Sequence, residues 1–158
     1  MIQVSPEEMY VTGGDPKPYR KTNWVLKLKK AGTRYNWHTL ASMHIYRSSH
    51  GCALLENSHE IIVAGGYTKS YVFSNTMEIY NIAGNEWRIG TPLPPHLKLK
   101  WSYLSHENTL WIIGGGEGMV YKYENNAKEW VHQIGIKTSG IAAESVILLT
   151  LDNTLKCS

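Results

Sequence analysis

A short apolar run that ends in two glycines occurs three times along the chain. It reads EMYVTGG at 8–14, EIIVAGG at 60–66 and LWIIGGG at 110–116, and the first glycines of the pairs lie 52 and then 49 residues apart. Self-similarity at a fixed period is the signature of a repeat architecture. Three copies in register therefore predict a structural unit of about 50 residues that is repeated along the chain.

Other landmarks recur at the same period. A tryptophan follows each glycine pair, and a further strand-like run after each tryptophan ends in an asparagine 20 to 23 residues later. In the second and third copies a tyrosine precedes the tryptophan by seven residues, as YNIAGNEW at 80–87 and YENNAKEW at 123–130. The tryptophans are Trp37, Trp87 and Trp130, and the asparagines are Asn57, Asn108 and Asn153. These landmarks recur in a constant order, which favours one repeated fold.

Each unit is interpreted as four strands, a to d. Strand a is the run up to the asparagine, a residue that tolerates left-handed backbone geometry and so indicates a tight hairpin turn. Strand b is the apolar run ending in Gly-Gly, strand c follows it, and strand d surrounds the tryptophan. Strand b lacks polar alternation, which predicts burial of both its faces. The glycines are expected where the chain turns sharply or where backbones approach too closely for a Cβ atom. The 3.6-residue pattern of helices is missing, so the prediction is an all-β fold.

The composition is that of a folded protein and excludes several function classes. The 158 residues are 42% hydrophobic and 18% charged, with a formal charge of +3, well short of a dedicated nucleic-acid binder. Cys52 and Cys157 make no disulfide framework, and the acidic start MIQVSPEE is unlike a signal peptide. The longest apolar stretch, 141–151, is too short for a membrane span. We therefore expect a cytoplasmic protein with no nucleic acid and no membrane partner.

The landmarks resemble the kelch repeat, in which a double glycine, a tyrosine and a later tryptophan recur with a period of about 50 residues. Copies two and three match well, whereas copy one has no tyrosine seven residues before Trp37 and carries extra residues. Kelch repeats commonly have an arginine near the start of strand a, and Arg47 has that position. The resemblance implies four-stranded antiparallel blades of a β-propeller.

About three blades are predicted. Strands b, c and d of blade 1 fall at about 8–46, blade 2 at 47–97, blade 3 at 98–138, and a strand a of a further or closing blade at 139–158. Propellers generally need at least four blades. Three arrangements stay open: a piece of a longer protein, a homodimer completing six blades, and an open product with bare sheet edges.

The resemblance implies that a ligand binds the b–c and d–a loops on one end of the blades. These loops carry more cations than carboxylates, with tyrosines between them, which suits a short acidic peptide or a partner protein with such a segment. Arg20 and Arg47 are the best single candidates, because a guanidinium can bind a carboxylate through two hydrogen bonds. The predicted partner-binding residues are Tyr19, Arg20, Tyr46, Arg47, Tyr67, Lys69, Tyr71 and Lys98.

No enzyme chemistry is predicted. The seven histidines are scattered without metal-ligand spacing, Cys52 begins an apolar strand, and GGGEG at 114–118 lacks the lysine of a phosphate-binding loop. We therefore expect no catalytic residue, no metal and no cofactor. The resemblance implies a protein-interaction module, with a role in substrate recognition for a cullin-type ubiquitin ligase adaptor. The alternatives are an actin-associated kelch protein and a propeller enzyme acting on sugars.

Overall fold

Three four-stranded antiparallel sheets make up the fold of the computed structural model, which describes residues 1–16, 21–55, 59–95, 97, 101–106, 108–114 and 119–134. The first sheet comprises β1 (Ile2–Ser5), β2 (Glu8–Thr12), β3 (Val25–Ala31) and β4 (Arg34–Thr39). The second comprises β5 (Gly51–Leu55), β6 (Glu60–Ala64), β7 (Met77–Asn81) and β8 (Glu86–Ile89). The third comprises β9 (Trp101–His106), β10 (Thr109–Gly114), β11 (Met119–Glu124) and β12 (Glu129–His132).

Strand order follows chain order within every sheet, as the four-strand interpretation predicts. Within the described ranges no residue is helical, and no helix is long and apolar enough to cross a membrane. The predicted asparagine turn is present between β9 and β10, where Asn108 has a φ of 57°. The all-β prediction and the blade architecture are therefore confirmed.

One prediction about the first unit is corrected. The sequence interpretation began this blade at strand b, but residues 2–5 form β1, which pairs with β2 through Ile2↔Tyr10. The signal was missed because IQVS is short and precedes a Pro6–Glu7 turn rather than an asparagine turn. All four strand positions of the first sheet are thus occupied. The strand predicted in residues 139–158 lies outside the described residues.

The sheets stack through two apolar clusters. One cluster, between the first and second sheets, contains Tyr10, Ile61 and Tyr80, and the other joins the second and third sheets. In β6 the four residues from Ile61 to Ala64 are fully buried, so both faces of this strand b are covered as predicted. The first strands of the sheets are neighbours, with β5 between β1 and β9.

The strand order places the described parts of the b–c loops of the first two sheets, and of the d–a linkers that follow these sheets, at the same end of the sheets. The Gly66 φ is 80°, and an added Cβ would lie 2.5 Å from the Ser48 carbonyl oxygen. The paired glycine is therefore needed for both predicted reasons, because the turn requires left-handed geometry and a neighbouring backbone lies against it.

Candidate functional site at the loop end of the blades

The d–a linker between the first two sheets runs beside the b–c loop of the second sheet. Ser48 and Tyr67 exchange backbone hydrogen bonds of 3.0 and 2.9 Å, and Tyr67 also bridges Phe73. On the other side of the linker, the Gly14 amide donates to the Arg47 carbonyl at 2.9 Å. Loops from two blades are thus joined by main-chain hydrogen bonds, which place the side chains between them.

Three tyrosines project from these joined loops towards solvent. Tyr46 and Tyr67 are each 40% exposed and Tyr71 is 48% exposed, while the neighbouring Val72 is 61% exposed. The Lys69 ammonium lies 5.2 Å from the centre of the Tyr46 ring. We call these five residues the tyrosine surface. Large rings that stay exposed beside an exposed ammonium group are typical of a protein-binding surface rather than of a packed core.

Lys21 supports the tyrosine surface from below. Its ammonium lies 3.5 Å from the centre of the Tyr71 ring and 3.6 Å from a carboxylate oxygen of Asp15, and the residue is only 4% exposed. A lysine held against a ring face in this way is stabilised by attraction to the ring electrons. The contact with Lys21 holds the Tyr71 ring in place, and the Lys21 charge is compensated within the protein. Lys69 is exposed, and the part of the chain that the structure describes gives it no ion pair.

Arg47 is inside the protein, which corrects its predicted role as a surface contact for a peptide. It is 0% exposed, and its guanidinium lies 2.8 Å from an oxygen of the fully buried Glu78 carboxylate. The guanidinium also donates to the Gly65 carbonyl at 2.9 Å and to the Thr76 side chain at 3.0 Å. These partners belong to its own blade. Arg47 therefore ties the linker to strands b and c, and it has no surface left to offer a ligand.

The Glu78 carboxylate also accepts hydrogen bonds from the backbone of the linker. One oxygen accepts a hydrogen bond from the His44 amide at 2.7 Å, and the other accepts from the Ile45 amide at 3.2 Å. His44 Nδ1 also lies 2.9 Å from the carboxylate. The buried carboxylate thus contacts His44, Ile45 and Arg47, which fixes the position of Tyr46 between them.

Two titratable side chains lie below the loops, near the first strands of the sheets. Burial, with a smaller effect of the Arg47 charge, lowers the pKa of His50 from 6.5 to about 3, and its Nε2 lies 2.9 Å from the Thr12 hydroxyl. Burial raises the pKa of Tyr103 to about 12, and its hydroxyl accepts a hydrogen bond from the Gly66 amide at 3.2 Å. Both groups are neutral near pH 7, so they add no charge to the loop end.

The structure brings four of the eight predicted residues together, namely Tyr46, Tyr67, Lys69 and Tyr71. Tyr19, Arg20 and Lys98 lie outside the described residues. Sequence reasoning missed Val72 and did not single out Lys21 from the other loop cations. An exposed valine between Tyr71 and Phe73 leaves no periodic signal, because the segment is a loop. Across the described ranges, no group of three His, Cys, Asp or Glu side chains could hold a metal ion.

Comparison with known proteins agrees with this fold. The kelch motif model matches residues 47–94. Beta-scruin of Limulus polyphemus is 32% identical over 116 residues, covering 68% of this chain and 12% of the relative. Kelch-like protein 40 of Xenopus tropicalis is 32% identical over 109 residues, covering 68% of this chain and 16% of the relative. The chain thus spans less than a fifth of the length of these two relatives.

Solved structures show the same architecture. The structure of YjhT superposes with a TM-score of 0.64 at 13% identity, covering 82% of this chain and 48% of the other. A fungal alcohol oxidase in complex with copper gives 0.54 at 20% identity, covering 71% of this chain and 25% of the other. At these identities the likeness shows the fold alone. The chain belongs to the kelch-repeat β-propeller family, as shown by the matching kelch motif, the three four-stranded sheets and the repeated Gly-Gly, Tyr and Trp positions.

Proposed function

We propose that this chain is a protein-interaction module whose tyrosine surface binds a short acidic segment of a partner protein. The observation that carries the proposal is the exposure of Tyr46, Tyr67 and Tyr71 on loops that are otherwise tied down by hydrogen bonds. Rigid exposed rings give large contact area at little entropic cost, which is why tyrosine is enriched at binding hot spots.

The charge on this surface supports an acidic ligand. Lys21 is already compensated by Asp15 and by the Tyr71 ring, so within the described residues of these loops Lys69 is the cation that a ligand carboxylate would meet. Val72 supplies an aliphatic contact next to it. The expected ligand therefore combines a carboxylate with an apolar side chain one or two residues away, in an extended segment.

Selection from a displayed library of random peptides on the purified chain tests the proposal. Selected peptides should be enriched in Asp and Glu. Tyr46→Ala should lower the affinity of the chain for a selected peptide about tenfold, the loss expected for a hot-spot side chain. Lys69→Glu should also lower this affinity and reverse the dependence of the affinity on salt concentration. Ile89→Ala is the control, because Ile89 is 61% exposed on β8 but does not belong to the tyrosine surface. Peptides without carboxylates, or binding indifferent to Tyr46 and Lys69, would refute the assignment.

We propose further that the bound segment belongs to a substrate of a cullin-type ubiquitin ligase, for which the module would serve as the recognition part. The likeness to Kelch-like protein 40 over 68% of this chain supports this role. The likeness to beta-scruin supports the alternative of an actin-associated protein. Cosedimentation with actin filaments separates the two. The adaptor role predicts that the chain stays in the supernatant, and pelleting that Tyr46→Ala abolishes would favour actin instead.

A further inference from the structure

β4 is the longest of the three strands that come last in their sheets. It pairs with β3, and no further described strand pairs with its other edge. All six of its residues, Arg34–Thr39, are exposed. β8 and β12 hold the same place in the other two sheets, but each has only four residues. The first sheet therefore offers an unpaired edge that is longer than its two counterparts.

The additional length comes from the hairpin between β3 and β4. In the second sheet, the pair Asn81↔Glu86 is the last one before the turn. In the first sheet the same position of the register is followed by two further pairs, the last of which is Ala31↔Arg34. A two-residue turn begins at Gly32, whose φ of 63° suits such a turn. This tight turn holds β4 in strand geometry from its first residue.

The backbone of β4 has hydrogen-bonding groups that point away from β3. The Leu40 amide donates to the Val25 carbonyl at 2.9 Å, so this pair is a hydrogen-bonded one. Hydrogen-bonded and non-hydrogen-bonded pairs alternate along an antiparallel ladder. The N–H and C=O groups of Tyr35, Trp37 and Thr39 therefore face the unpaired edge. An edge of this kind is a template for a further strand.

Side chains of different character lie on the two sides of this edge. Arg34 and His38 are on one side, and Lys27 is on the same side because it pairs with His38. Tyr35 and Trp37 are on the other side, where they are 55% and 57% exposed. A strand added to β4 would thus meet cations on one side and aromatic rings on the other.

The stretch that contains this hairpin is basic throughout. Residues 16–55 have eight Lys and Arg side chains and no Asp or Glu. Three described cations of this stretch pair with carboxylates from outside it, and they are Lys21, Lys29 and Arg47. The other described cations are Lys27, Lys30 and Arg34, all on β3 and β4, and the described ranges give them no ion pair. The hairpin therefore keeps an excess of positive charge.

We propose that β4 is a docking edge for an acidic segment of a partner protein, which adds to the first sheet as a fifth, antiparallel strand. The segment alternates acidic residues, on the side of Lys27 and Arg34, with apolar residues, on the side of Tyr35 and Trp37. None of the five residues of the tyrosine surface belongs to β3 or β4. The two surfaces therefore bind independently of each other.

The chemistry of the edge favours this occupant over two others. Phosphates of a nucleic acid accept hydrogen bonds but donate none, so the outward carbonyls of β4 would stay without partners. A second copy of β4 would bring Lys30 and Arg34 against the same charges, which is unfavourable. Charge also selects β4 among the three last strands. β8 and β12 begin with Glu86 and Glu129, which repel an acidic segment.

Binding of a dye-labelled synthetic peptide of eight alternating Glu and Val residues to the full chain, followed by fluorescence anisotropy, tests this proposal. In an antiparallel pair, the valines opposite Trp37 exchange hydrogen bonds with it. Methylation of the valine backbone nitrogens should therefore abolish binding, whereas methylation of the glutamate nitrogens should leave it unchanged. A peptide with Lys in place of Glu should not bind.

Two proline variants locate the peptide on β4. Tyr35→Pro removes an N–H that faces the unpaired edge, which an edge strand tolerates, and should lower the affinity about tenfold. Ile89→Pro is the matched control and should bind like wild type. Ile89 has the same outward direction on β8, because the next residue, Gly90, donates its amide to the Met77 carbonyl at 2.8 Å.

Several outcomes would overturn the assignment. Binding that survives methylation of the valine nitrogens, or that is equal in Tyr35→Pro and wild type, would show that β4 gains no fifth strand. If Tyr35→Pro fails to fold, Arg34→Glu replaces it and should lower the affinity and reverse its dependence on salt concentration. An oligonucleotide that binds more tightly than the peptide would assign the hairpin to nucleic acid. Loss of binding in Lys69→Glu would place the peptide on the tyrosine surface instead.

Discussion

Arg47 and Glu78 form a fully buried ion pair, with 2.8 Å between guanidinium nitrogen and carboxylate oxygen and no exposure of either side chain. The pair joins the linker between two blades to strand c of the second blade. Because each partner would be left as an uncompensated buried charge without the other, the geometry of the neighbouring tyrosine surface depends on both.

The first prediction concerns this ion pair. Glu78→Ala should lower the free energy of unfolding by about 3–5 kcal/mol, since Arg47 would stay buried without its counter-charge. Urea denaturation measures the loss. Lys29→Ala is the control, because Lys29 pairs with Glu8 at 3.0 Å on the surface and its removal should cost at most about 1 kcal/mol. Equal losses of unfolding free energy in the two variants would show that the buried pair contributes no more to stability than the surface pair.

A second prediction follows from His50. Its pKa is about 3 in the folded protein, mainly because of burial, against about 6.5 when unfolded. The unfolded chain therefore binds the extra proton first as the pH falls. This contribution to stability is complete above pH 6.5 and is lost as the pH falls towards 3, at a slope that approaches about 1.4 kcal/mol per pH unit.

Urea denaturation of wild type and His50→Gln between neutral and mildly acidic pH checks this slope. The amide of glutamine can still contact Thr12 but does not titrate in this range. The variant should lose less stability on acidification than the wild-type protein. Parallel pH profiles would show that His50 does not remain neutral in the folded chain.

The repeated tryptophans give a third prediction. Trp87 packs on Tyr80 with 5.0 Å between ring centres, in addition to its hydrogen bond to Ala41. Trp87→Ala should cost about 3–5 kcal/mol because it removes both the ring contact and the link between blades. Trp87→Phe keeps a ring and should cost about 1–3 kcal/mol, the value of leaving the Ala41 carbonyl unpaired. A Trp87→Ala protein that melts like wild type would overturn this packing role.

A fourth prediction separates the two reasons for glycine in the paired positions. Gly66→Ala should destabilise by more than about 1 kcal/mol, because its φ is 80° and the new Cβ would meet the Ser48 carbonyl. Gly32→Ala isolates the conformational part, since Gly32 has a φ of 63° but open space around a Cβ. Its cost should stay near 1 kcal/mol. Equal losses would mean that the close backbone approach contributes nothing.

Much of the fold could be predicted because the repeat is visible along the chain. Strand b, its glycine pair and the tryptophan of strand d each recur at about 50 residues, and all three sheets have the first glycine at the end of strand b and the tryptophan in strand d. β1 was missed because its four residues carry no landmark of the repeat. The tyrosine surface was predicted only as loop residues, since sequence distance does not show which loops touch.

What the sequence alone determined is the set of local rules: apolar runs that form strands, glycines that permit left-handed turns, and a period that makes every unit one blade. Tertiary structure decided the use of individual side chains. Arg47 has the charge expected of a ligand contact, but it is buried and its guanidinium pairs with Glu78, 31 residues away. Tyr80 and Leu28 have equivalent positions in the strand register, since Tyr80 pairs with Ile61 and Leu28 with Met9. Tyr80 is nevertheless covered by a neighbouring sheet, whereas Leu28 lies on the face of the first sheet that is turned away from the second. Burial and ion pairing depend on which blades meet, and that is a property of the packed chain rather than of any one repeat.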